Sequence, residues 1–287
     1  MPRTFESIFK VRYYECDPYG HVNNANYLRY ATEAAVAASI AVGCDLTQGD
    51  TRWTLQEAGI EFLRPTAHGE SVTVRTRMSD WRKENVSLEQ EFLLSGGKAA
   101  AKVSTDWEFV SFESGEPSPI PTRVLAGFFP EGLPSESPAR TPFPEPPRAP
   151  DGAFVAHRQV RWSHLNPLGW LDYGHYLSLM EEVVIDAAEY VGWTMRKVEE
   201  HGFALYAKEH HIEFLNPVGM RDELRITTYI DEVEETSAVR HCLFEQPTEG
   251  AIARAQTTWV WVNPETGRPV PIADDWLDDF ADQIAEV

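Results

Sequence analysis

The amino-acid sequence predicts an α+β fold built twice in tandem, each copy a long helix laid against an antiparallel sheet of about five strands. Three observations carry this prediction. Several motifs recur in the same order at a nearly fixed spacing, each copy has one stripe of apolar residues at helical spacing, and a proline-rich stretch separates the copies.

The repeat is read first. VRYYECDPYGHVNNANYLRYATEAA (residues 11–35) aligns with VRWSHLNPLGWLDYGHYLSLMEEVV (residues 160–184), with Arg12/Arg161, Pro18/Pro167, Gly20/Gly169, Tyr27/Tyr176 and Glu33/Glu182 in register. Further on, IEFLRP (residues 60–65) answers IEFLNP (residues 212–217), and TDWEFVSFESGEPSPI (residues 105–120) answers TTWVWVNPETGRPVPI (residues 257–272). Several motifs in one order indicate duplication.

Within a copy, FESIFKVRYYE has strand character. A loop follows, and then a helix starting at about Asn23 or Asn24. Tyr27, Ala31, Ala34, Ala35, Ala38 and Val42 recur at helical spacing, and Gly43 is a suitable stop. Tyr176, Met180, Val183, Val184, Ala187 and Val191 repeat that stripe before Gly192. GESVTVRTRMSDW, ENVSLEQEFLLSG and KAAAKVSTDWEFVSFE read as long strands joined by short turns. PTRVLAGFF and IADDWLDDF close the copies with short helices. The expected division is a first unit over residues 1–129, a proline-rich extended linker over 130–152 and a second unit over 153–287.

Composition narrows the function classes. The chain has 287 residues, 43% hydrophobic and 24% charged, as expected of a soluble globular protein of two ordinary domains. No run approaches the ~18 apolar residues that span a bilayer, and the first residues have no secretory signal pattern. Three cysteines without metal spacing suit a reducing cytoplasm. A net charge of −20 disfavours nucleic acid and anionic membrane as partners, and requires a local basic patch for any anionic substrate. Arg75, Arg77, Arg82 and Lys83 are one such patch, or else a solvated strand face.

The DPYGHVNN loop is where chemistry concentrates. Asp17 precedes Pro18, which stiffens the turn, and Gly20, which permits close backbone approach. The helix that follows offers unpaired N–H groups and a positive dipole end. A carboxylate and preorganised donors a few residues apart are what acyl transfer requires. Plainer readings stand beside this one. Asp17 can be an Asx-turn residue, Asn23 an N-cap, His21 a hydrogen-bonded loop residue and Cys16 a small packed residue, while Glu33 and Glu182 can lie on a solvated face. His210 and His211 have no partner at metal spacing.

DPYGHVNNANYL and the order of elements resemble the hotdog-fold thioesterases of the 4-hydroxybenzoyl-CoA thioesterase type, and the whole chain resembles a tandem double hotdog. Plant acyl-carrier-protein thioesterases share that layout, with the catalytic copy second. The resemblance implies a thioester hydrolase in which Asp17 is general base or nucleophile and the Asn24 amide polarises the carbonyl. His21 and Asn23 belong to the same motif and are further catalytic candidates. Gly20, Tyr27, Arg82, Lys83 and Trp170 are candidate substrate-binding residues, and no metal or organic cofactor is implied. In the second copy Asn166 and Trp170 replace Asp17 and His21, so one active site per chain is expected. The second unit would then form an intrachain pseudo-dimer with the first and supply an opposite wall through Trp170, Tyr173 and Tyr176, or hold those aromatics in its core. Acyl-CoA is favoured over acyl-carrier protein as substrate, because a carrier protein is itself acidic. A non-catalytic acyl-binding module and a hotdog dehydratase or hydratase are the rival readings. Pairing between chains is left open.

Overall fold

The computed structural model describes residues 1–44, 50–137 and 141–285, and divides into two compact units, residues 1–142 and 143–287. In the first, β1 (Thr4–Lys10) leads through a 3₁₀ turn (Tyr13–Glu15) and a loop into α1 (Asn24–Ala41). β2 (Thr51–Phe62), β3 (Ser71–Trp81), β4 (Asn85–Leu93) and β5 (Ala99–Ser111) follow, and α2 (Thr122–Phe128) closes the unit. The strands are antiparallel in the order β1-β3-β4-β5-β2. The predicted first strand stops short. VRYYE leaves the sheet after Lys10 because Glu15 turns back to accept a hydrogen bond from the Arg12 amide at 2.7 Å, which closes the 3₁₀ turn.

The alternating patterns explain the layers. β3 buries Val72, Val74, Thr76 and Met78 and exposes the residues between them. The buried face receives α1, whose stripe includes Leu28, Ala31, Ala34, Ala35 and Ala38. Small alanines allow close approach of helix to sheet. Gln90, almost wholly buried on β4, fixes the helix by donating to the Ala31 carbonyl at 2.7 Å and to Thr76 Oγ1 at 3.2 Å.

The second unit repeats the plan with β6 (Phe154–Gln159), α3 (Tyr173–Tyr190), β7 (Ala204–Phe214), β8 (Glu223–Asp231), β9 (Ser237–Gln246), β10 (Gly250–Val262) and α5 (Asp274–Phe280). Its strand order, β6-β8-β9-β10-β7, matches the first. One element was not foreseen. α4 (Met195–Glu200) sits between α3 and β7, capped by Thr194 Oγ1, which accepts from the Lys197 amide.

Among its described residues the proline-rich stretch has no regular element, and much of it lies on the units. The Ser137 amide donates to the Trp81 carbonyl at 2.9 Å and Trp81 Nε1 to the Pro134 carbonyl at 3.2 Å. On the far side Phe143 is buried against His211, and Glu145 pairs with Arg254. No helix among the described residues is long and apolar enough to cross a membrane.

Candidate active site

The loop from Cys16 to Val22 is a small hairpin. Cys16 and Val22 bridge, and His21 bridges Ala67, just before β3. Within it the Asp17 amide donates to the His21 carbonyl at 2.8 Å and the Gly20 amide to the Asp17 carbonyl at 2.9 Å. Gly20 has φ +82°, the left-handed region that a glycine enters without strain. A Cβ added there would meet open space, so close approach, the expected reason for Gly20, does not apply; backbone conformation does.

Asp17 is half-buried, and its Oδ1 accepts from the Tyr19 amide at 2.9 Å and the His21 amide at 3.3 Å. That is an Asx turn, as the plainer reading expected. It consumes one carboxylate oxygen. Oδ2 accepts from no described residue. The second copy shows that the structural task needs only the first oxygen: Asn166 Oδ1 accepts from the Leu168 amide at 2.9 Å and the Trp170 amide at 3.2 Å, in the same loop. What Asp17 adds is a second oxygen and a negative charge.

The helix tip is equally resolved. Asn23 is the N-cap of α1, its Oδ1 accepting from the Ala25 amide at 3.0 Å while its carbonyl accepts from the Asn26 amide at 2.9 Å. Asn23 is therefore a capping residue, as its plainer reading expected. With those two amides engaged, the first-turn amide that donates to no described residue is Asn24's, the donor the resemblance implies. The His21 backbone is pinned, but its half-buried imidazole bonds to no described residue.

Glu15 joins loop and helix. It is buried, and its carboxylate also accepts from Tyr30 Oη at 2.7 Å. Its carbonyl accepts from the Asn23 amide at 2.9 Å and from Asn26 Nδ2 at 2.8 Å. Burial, reinforced by the Glu15 carboxylate, pushes the Tyr30 phenol far up, so it stays a donor. Sequence reasoning missed Glu15; its only signal was an acid inside the repeated block. Cys16 beside it is no nucleophile in waiting, because burial and the Asp17 and Glu15 charges push its thiol up.

The remaining candidates take these places. Tyr27 is a core residue, 3% exposed, with its ring against Phe62 and Phe92 and its hydroxyl donating to Thr66 Oγ1 at 3.0 Å. Arg82 and Lys83 lie beyond the far end of β3 from the loop, some 30 Å along the strand. Arg82 pairs with Asp80 at 3.3 Å and Asp106 at 3.9 Å, and Lys83 with Glu84 at 2.8 Å. Arg75 and Arg77 pair with Glu6 and Glu89. The predicted patch is a set of neutralised pairs. Trp170 is half-buried and bridges Gly219 as His21 bridges Ala67. Among the described residues no group of three His, Cys, Asp or Glu side chains is placed to hold a metal ion.

A family model described as the thioesterase-like superfamily matches the chain twice, over residues 11–128 and 160–281. The protein belongs to the thioesterase-like superfamily. The paired match agrees with the duplication read from the motifs. A Lactobacillus plantarum structure described as an oleoyl thioesterase superposes with a TM-score of 0.78 at 17% identity, covering 94% of this chain and 98% of that one. The 12:0-ACP thioesterase of Umbellularia californica gives a TM-score of 0.71 at 16% identity, over 90% of this chain and 94% of that one. These likenesses establish the fold as a tandem hotdog. A chloroplastic acyl-acyl carrier protein thioesterase of Arabidopsis thaliana is 33% identical over 82 residues, which are 28% of this chain and 43% of that protein.

Proposed function

We propose that the protein hydrolyses acyl thioesters to a free acid and a thiol, using the Asp17 loop of the first unit. The observation that carries this is the comparison of the two loops. Both are closed by the same hydrogen bonds, yet only the first has a spare carboxylate oxygen. Superfamily membership and the thioesterase relatives support the same reading.

In the general-base route Asp17 Oδ2 removes a proton from water as the water oxygen bonds to the thioester carbonyl carbon. Charge moves onto the carbonyl oxygen, where the Asn24 amide donates to it at the positive end of α1. Collapse breaks the carbon–sulfur bond, and the thiolate takes the proton. In the nucleophilic route the Asp17 oxygen itself bonds to the carbon, giving an anhydride that water then opens. Label from heavy-oxygen water appearing in the Asp17 carboxylate after a single turnover identifies the second route, with water opening the anhydride at the Asp17 carboxyl carbon, because the first route leaves the enzyme unlabelled. Acyl-CoA is the favoured substrate and acyl-carrier protein the alternative, in a reducing cytoplasm that keeps the three cysteines as thiols.

The test is Asp17→Asn, assayed by thiol release from acyl-CoA and acyl-carrier substrates. Because an asparagine holds the equivalent loop in the second unit, the variant should fold with an unchanged melting temperature. Its kcat should fall by roughly 10²–10⁴-fold. Full activity in that variant would overturn the assignment, and enoyl-CoA hydration without thiol release would point to the hydratase reading instead.

A further inference from the structure

Beside the Asp17 loop the first unit carries an open groove of ≈ 470 Å³, within the usual range for a small-ligand site. We propose that this groove takes the nucleotide end of coenzyme A, an inference that rests on the thioesterase reading and locates the carrier. The groove is bounded by the end of β1 and the 3₁₀ turn, with His68 on the opposite rim. Its chemistry is unlike the rest of the surface. Ile8, Tyr13 and Tyr14 are 72%, 83% and 74% exposed, which gathers large apolar side chains where a folded chain usually scatters them. The ring of Tyr13 meets His68 edge-on at 6.0 Å.

Two cations stand among these rings. Lys10 is exposed and forms no ion pair with any described residue. Arg12 donates to Tyr14 Oη at 2.9 Å and lies 3.7 Å from the Glu15 carboxylate, with two-thirds of its side chain in solvent. The single carboxylate on the groove wall, Glu15, is already satisfied by the Arg12 amide and Tyr30. With Arg12 set against Glu15, Lys10 leaves one net positive charge on the groove wall of a chain of net charge −20, as an anionic ligand needs. Flat exposed rings next to two cations suit a purine bearing phosphates.

The second copy strengthens the case. In the repeat, Gln159, Ser163, His164 and Met220 stand where Lys10, Tyr14, Glu15 and His68 stand. Arg161 and the exposed Trp162 keep the counterparts of Arg12 and Tyr13, so what the copy without the acid has lost is the second cation, Lys10, together with Tyr14 and His68. The link to the reacting end is short: Glu15 precedes Asp17 by two residues, and His68 follows Ala67, the bridge partner of His21.

The experiment uses the full chain and two thioesters of one acyl group, decanoyl-CoA and decanoyl-pantetheine, which lacks the nucleotide. Lys10→Glu should raise KM for decanoyl-CoA by about 10-fold, the scale of one lost charge-assisted contact, and leave KM for decanoyl-pantetheine within about 2-fold. Tyr14→Ala should act in the same direction. Equal shifts for both thioesters, no shift for either, or a rise confined to acyl-carrier protein would each overturn the proposal. If neither thioester is hydrolysed, the thioesterase reading fails by itself, and calorimetric titration with phosphoadenosine phosphate still decides the groove. Binding by the wild type that is lost in Lys10→Glu supports the site, and equal or absent binding refutes it.

Discussion

Gly20 shows how one residue's reason can be mistaken. The sequence suggested room for a close-approaching backbone, whereas the structure gives a left-handed φ with open space around the missing Cβ. The two reasons predict different substitutions. Gly20→Ala should cost about 1 kcal/mol, the strain of a left-handed residue, and Gly20→Asn distinctly less, because asparagine tolerates that conformation. Thermal melts of the two variants check it, and a larger loss for asparagine than for alanine would restore the crowding argument. Asp17 poses the reverse case. The bland reading, an Asx turn, uses Oδ1 alone and leaves Oδ2 for the proposed chemistry, so the two readings do not compete. No single sequence position could have separated them; the duplicate with Asn166 does.

At the scale of elements, long strands, both long helices and the closing helices were legible because each depends on local periodicity. The Asn23 cap was legible for the same reason, since capping is a local rule, whereas the donor role of Asn24 came only from the family resemblance. The 3₁₀ turn was not. VRYYE alternates like a strand, and only the contacts of Glu15 with Tyr30 and with the start of α1 show why it folds back. Those contacts span up to fifteen positions, beyond any local pattern. The fate of the basic patch was legible only in part: Lys83 and Arg82 pair with the neighbouring Glu84 and Asp80, whereas Arg75 and Arg77 find their partners on other strands. Glu15 acts through the loop it braces, as a positioning residue. Glu15→Gln keeps the size and one acceptor but loses the charge that Tyr30 and Arg12 meet. For decanoyl-pantetheine, which lacks the nucleotide, it should lower kcat several-fold with little change in KM, the pattern expected when transition-state alignment is disturbed. In an Asp17→Asn background the same change should add no further loss of kcat. An additional loss of equal size there would mean that Glu15 serves stability alone.

For the whole molecule, duplication separates two tasks that a single copy must combine. The first unit keeps the loop acid, while the second keeps every loop hydrogen bond and gives its equivalent positions to Asn166 and Trp170. The second unit has also accumulated buried histidines where the first has none of the same kind among its described residues. His210 lies inside its sheet, 2% exposed, with Nδ1 2.7 Å from Thr257 Oγ1, and burial pushes its pKa down to about 3. Burial likewise lowers that of His241, partly opposed by Asp231. An unfolded histidine titrates near 6.5, so below that pH the unfolded chain takes up protons that the folded chain refuses. Stability is therefore complete above about pH 6.5 and drains as pH falls towards about 3. Each such histidine steepens the fall by up to about 1.4 kcal/mol per pH unit within that window. His210→Asn keeps a polar atom near Thr257 but removes the titration. Its absolute stability will be lower, so the slope is the measurement. Denaturant midpoints between pH 5 and 6, above the range where most carboxylates titrate, should fall less steeply in the variant by about one proton's worth. Parallel slopes in the two proteins would show that His210 is protonated in the folded state and that acid sensitivity arises elsewhere.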